Sequence, residues 1–94
     1  MTTTIEMVRF GRTLTDRLYG KQTAEAILRE YGPPIALDFK GVISLGSSFG
    51  DEIVAALGPT QGWRIGVLNT NGAVRACLRK VGSDARVEID FLDS

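Results

Sequence analysis

The residues able to carry chemistry gather in one stretch, Ser44 to Glu52, which reads SLGSSFGDE. It offers the hydroxyls of Ser44, Ser47 and Ser48 and the carboxylates of Asp51 and Glu52. A serine nucleophile needs a base beside it, and the chain contains no histidine. That removes Ser-His-Asp and Cys-His catalysis and the usual general base near neutral pH. An enzyme built here would have to work with Asp38, Asp51, Glu52 or Ser47 alone. Asp38 reads better as a strand-end residue bonding nearby backbone. Asp51 and Glu52 read better as helix-dipole residues. No catalytic residue is assigned, and the chain is not expected to be an enzyme.

One cysteine, Cys77, excludes an intramolecular disulfide. Its helical setting suits a small buried hydrophobe rather than a reactive thiol. With no histidine and one cysteine, no metal site is expected. There is no Walker pattern and no GxGxxG, so no cofactor is assigned. A small-ligand or nucleotide sensor is the alternative to an interaction module.

Length and charge bound the partners. Ninety-four residues make a single domain, 1–94. Eleven Lys and Arg balance eleven Asp and Glu. No basic excess exists to drive nucleic-acid or membrane binding. A chain of zero net charge is weakly protected against self-association, which leaves a homo-oligomer open. The N-terminus, MTTTIEMVRF, has no apolar signal region, and no run approaches the roughly 20 residues of a spanning helix. A soluble, cytoplasmic protein is expected.

These residues must be positioned by an alternation of strands and helices. Thr4 to Phe10 reads as a first strand. Thr15 or Asp16 can cap a helix striped by Leu18, Ala24, Ile27, Leu28 and Tyr31, with Gly20 placing its firm start at Lys21. Gly32 and Pro33-Pro34 end it. Ile35 to Phe39 fits a central strand buried on both faces. Ser48 to Leu57 reads as a second helix, stopped by Gly58-Pro59. Trp63 to Leu68 is a further strand, with Trp63 either packing at the sheet's amino end, the favoured reading, or meeting a partner. Asn71 can cap a third helix ended by Gly82. ARVEIDFL alternates strictly, placing Val87, Ile89 and Phe91 on one face and charges on the other, as at a sheet edge. The order β-α-β-α-β-α-β predicts an α/β fold of about four mostly parallel strands with three principal helices. The helices are expected mainly on one side.

In such sheets the loops leaving the carboxyl ends of strands carry the site. Ser48 can cap the second helix, with Asp51 returning the bond as in a capping box. Ser48→Ala is then expected to cost about 0.5–2 kcal/mol. Capping leaves Gly46, Ser47 and Gly50 unexplained, and small residues let a partner come close. The candidate partner-binding residues are Ser44, Gly46, Ser47, Ser48, Asn69 and Asn71.

IALDFKGVISLGSSFGDEIVAAL, Ile35 to Leu57, resembles the core of STAS domains, the anti-sigma factor antagonist fold. Leu37-Asp38-Phe39 and Gly41-Val42 match the strand and turn, and Ser47-Ser48 match the serine pair. Phe49, Asp51, Glu52 and Arg17 agree with the STAS-like family of unknown function. The resemblance implies a non-catalytic regulatory module that binds a protein partner, a histidine-kinase-like ATPase. It also implies that this partner phosphorylates Ser47. The chain departs from the pattern at Gly46, where the family has Asp, and at Phe49, where it has Gly.

Overall fold

The computed structural model describes residues 1–93. Six strands are present: β1 (Thr3–Glu6), β2 (Thr13–Leu14), β3 (Ile35–Asp38), β4 (Ser44–Leu45), β5 (Arg64–Leu68) and β6 (Glu88–Phe91). Three α-helices alternate with them: α1 (Arg17–Glu30), α2 (Ser47–Leu57) and α3 (Gly72–Ala85). β1, β3, β5 and β6 form one sheet in that order, every neighbouring pair parallel. The expected α/β fold of four strands and three helices is therefore present.

Each crossover steps to the next strand in the same direction. Right-handed connections of that kind place all three helices over one face. Register shows which residues that face takes. Ile5, Leu37, Val67 and Phe91 lie in one row across the sheet, and Ile35, Ile65 and Ile89 belong to the same face. Five of these, Ile5, Ile35, Leu37, Ile65 and Val67, are buried. They meet Ala24 and Ile27 of α1, Ile53, Val54 and Leu57 of α2, and Val74, Leu78 and Val81 of α3 in one core. The other face carries Thr4, Glu6, Ala36, Asp38, Arg64, Gly66, Leu68, Glu88 and Asp90.

α2 is gripped on both sides by glycine contacts. A Cβ at Gly20 of α1 would lie 2.9 Å from both the Cα and the carbonyl oxygen of Phe49. A Cβ at Gly50 of α2 would meet Cys77 Sγ and Val81 of α3 at 3.5 Å, an ordinary contact, so only the Gly20 side is too close for a methyl group. Phe49 is fully buried and its ring tilts against Tyr19 at 5.8 Å between centroids.

Several boundaries differ from expectation. The first strand ends at Glu6, and Met7–Phe10 is a 3-10 turn that buries Met7. α1 starts at Arg17 rather than Lys21, because the Asp16 carboxylate accepts from Tyr19 N at 2.7 Å and caps it. The helix cost of Gly20 is accepted for close approach to α2. α3 runs past Gly82 to Ala85. Gly82 is there because a Cβ would sit 2.6 Å from Ile89 Cγ1 and 3.0 Å from the Val87 carbonyl. Trp63 is not packed away: it is 54% exposed, in a left-handed conformation at the head of β5. The paired pieces β2 and β4, parallel to one another, were not legible at all. Two residues are too few for a period.

No helix among the described residues is long and apolar enough to cross a membrane.

Gly20→Ala is expected to destabilise the fold by about 1–3 kcal/mol, since overpacking against backbone outweighs alanine's better helix propensity. Gly66→Ala should cost well under that, because its Cβ meets only the mobile end of the Leu92 side chain. Urea unfolding of both variants checks the contrast. Equal losses would show that the α1–α2 contact yields.

Candidate interaction site at the carboxyl edge

Two connections converge at the carboxyl ends of β3 and β5. The first runs from Phe39 through β4 to α2, and the second from Asn69 to α3. Asn71 joins them. Its Oδ1 accepts from Val74 N at 2.8 Å, capping α3 as expected. Its Nδ2 donates to the carbonyls of Ile43 at 2.9 Å and Val42 at 3.3 Å. Asn69 Nδ2 donates to Asp38 Oδ1 at 2.9 Å, and the same oxygen accepts from Lys40 N. Asp38 thus anchors neighbouring groups at its strand end. Asn69 N donates to Asp93. Both asparagines hold the edge together through side-chain bonds of their own.

β4 is fastened from below. Ile43 N and Ser44 N donate to the Arg12 carbonyl, and Gly46 N donates to Leu14 O at 2.8 Å. Gly46 cannot carry a side chain without moving the neighbouring chain, because its Cβ would lie 3.0 Å from Thr15 Cα. Packing is the local reason for that glycine. Ser44, Gly46 and Ser48 are half-buried, whereas Ser47 is exposed. Ile43, next to Ser44, is 61% exposed.

The capping box is overturned. α2 begins at Ser47, its N-cap is Gly46, and no side chain caps it. Ser48 lies inside the first turn, so its hydroxyl is in the wrong place to cap. Asp51 lies past the first turn and does not return a bond to the helix start. It pairs instead with Arg17 of α1. Arg17 donates to Glu52 Oε2 at 2.9 Å and to Asp51 Oδ2 at 3.3 Å. The Glu52 bond, with Asp51 second, pushes the guanidinium pKa above its ordinary value. These carboxylates therefore serve an exposed link between α1 and α2, rather than the α2 dipole.

Comparison with family models, curated proteins and solved structures returns no match. What the edge can do follows from its own chemistry. Burial, with Asp51 second, pushes the Cys77 thiol up, so it stays protonated at neutral pH and is a poor nucleophile. Among the described residues no cluster of three metal-ligating side chains occurs. The edge presents an exposed hydroxyl, an exposed Ile43 and an uncapped helix start on a firmly tied frame.

Sequence reasoning missed Ile43 as an exposed apolar residue at this edge, and Thr70, whose hydroxyl oxygen is buried without a hydrogen-bond partner. No signal in the chain marks either, since both depend on how loops far apart in sequence meet.

Asn71→Ala should destabilise by about 1–3 kcal/mol, as it removes a cap and leaves two carbonyls without their donor. Ser48→Ala should change stability by no more than about 0.5 kcal/mol, in place of the larger loss that a cap implied. Thermal melts of the two variants measure this. Cys77 should react slowly with a thiol reagent at neutral pH in the folded chain and quickly once unfolded.

Proposed function

We propose that the chain is a non-catalytic regulatory module that binds a protein partner through the carboxyl edge, in the manner of an anti-sigma factor antagonist. The partner class is a kinase-type ATPase, and Ser47 is the switch. The supporting observation is the placement of Ser47: an exposed serine in the first turn of a helix that no side chain caps. Unpaired backbone N–H groups and the positive end of the helix favour a phosphoryl group there. Arg17 offsets the nearby carboxylates that would otherwise repel it. Before phosphorylation, Ser47 and Ile43 offer a small hydroxyl and an apolar side chain to the partner. Afterwards, about −1.5 to −2 charges would have to be desolvated at the contact.

The test begins with the tagged chain in its native host, recovering the ATPase that co-purifies. With ATP, that ATPase should phosphorylate Ser47, located by mass spectrometry, and the complex should dissociate. By titration calorimetry, Ser47→Glu should weaken association at least about tenfold, equivalent to about 1.4 kcal/mol, while Ser47→Ala binds nearly normally. Unchanged affinity of Ser47→Glu would remove Ser47 from the contact and reject the switch.

A further inference from the structure

Parallel sheets are ordinarily covered on both faces. Here the helices cover one and no helix covers the other, where Ala36 at the centre is only 2% exposed beneath its neighbours and Thr4, Glu6, Arg64 and Glu88 are exposed. Its floor is small and apolar: Ala36 and Gly66 lie in one row between Thr4 and Asp90, and Leu92 leans across Gly66. A shallow groove of about 230 Å³ runs over Ala36 and Gly66, walled by Pro34, Arg64 and Leu92. The face is also acidic. Glu6, Asp38, Glu88 and Asp90 stand against Arg64 alone, a net charge of −3 on a chain whose total is zero. Arg64 is already engaged, 3.0 Å from both Glu88 and Asp90.

The compensating charge lies in the helical layer and loops, and α3 carries a concentrated part of it. Arg75, Arg79 and Lys80 stand against Asp84. Arg79 and Lys80 are exposed, and so are Ala73, Ala76 and Ser83 on the outer side of this helix. Arg75 and Arg79 lie over the Phe91 ring, at 4.0 and 5.3 Å from its centroid. The outer side of α3 is thus small enough for close approach and positive.

We propose that the bare sheet face of one copy seats the outer side of α3 of a second copy. The small residues of α3 lie over Gly66 and the groove beside it, and its cations meet the acidic rim. The neighbour then supplies the helical layer that the sheet lacks. The two surfaces differ, so the contact is head-to-tail and each pair keeps one free surface of each kind. A chain of zero net charge does not repel its own copies as they add. The face used is separate from the edge bearing Ser47.

The test is sedimentation velocity at rising protein concentration. At about 0.01 M salt, where the screening length is roughly 30 Å, mass should grow beyond a dimer; at about 1 M, where it is roughly 3 Å, association should weaken at least tenfold. Glu6→Lys/Glu88→Lys reverses the sheet face, and Arg79→Glu/Lys80→Glu reverses α3. These side chains are exposed, and thermal melts confirm that both variants fold. Each alone should lose self-association at least tenfold. Mixed in equal amounts, they should associate again and grow beyond a dimer, because the native sheet face of one meets the native α3 of the other and the two reversed surfaces are complementary in turn. A wild-type chain that stays monomeric into the millimolar range would overturn the proposal, as would self-association unchanged in either variant or a mixture that forms nothing. A monomeric wild type that binds a lysine-rich helical peptide on the sheet face would also overturn it and assign the face to a foreign basic helix.

Discussion

The seating of α2 between its neighbours is the constraint on which the rest depends. On one side the backbone of Phe49 touches Gly20 of α1 with no room for a methyl group. On the other, Gly50 lets Cys77 and Val81 of α3 close in. With α2 fixed at both flanks, Ile53, Val54 and Leu57 reach the sheet and Phe49 is sealed from water. Moving the Gly20 contact by the width of a methyl group would shift the helix whose first turn bears Ser47. Position at the edge therefore rests on packing some distance from it.

The edge is held by polar bonds as firmly as the core is held by apolar ones. Asn71 spends both ends of its amide, one on α3 and the other on the connection before β4. Asp38 gathers Lys40 N and the Asn69 amide on one oxygen. Gly46 lies flat on Thr15 and bonds back to Leu14. Charged-looking groups turn out to be structural ties; Ser47 and Ile43 are exposed at this edge, as are the tied Asn69 and Asn71. Such ties fix the shape of the edge before anything meets it.

The sheet divides the molecule electrically as well as sterically. Crossovers that all step one way leave one face without helices, and that face collects the acidic residues of alternating strands. The period of two that half-buries Ile89 and Phe91 also directs Glu88 and Asp90 to the open side. Zero net charge thus conceals an acidic face and a helical layer with the balancing cations.

Element types and order were legible because they rest on local periodicity. The helical stripe of α3, the strict alternation of β6 and the apolar run of β3 each state their type within a few residues. The caps at Asp16 and Asn71 were legible for the same reason, since a cap bonds three residues away. What failed was every feature set by distant neighbours. Gly20 and Gly82 read as helix breakers, yet both are helical because another backbone or side chain occupies the space of a Cβ. Asp51 read as a capping partner for Ser48, yet it turns to Arg17, 34 residues away. The pairing of Thr13-Leu14 with Ser44-Leu45 leaves no trace in either dipeptide. By itself the sequence determined which segments are strands and helices, which face of each is apolar, and that histidine chemistry is absent. Tertiary structure alone decided that Gly20 and Gly82 stay helical, which polar groups are consumed in ties, and which serine stands free, because those outcomes depend on contacts between residues far apart in the chain.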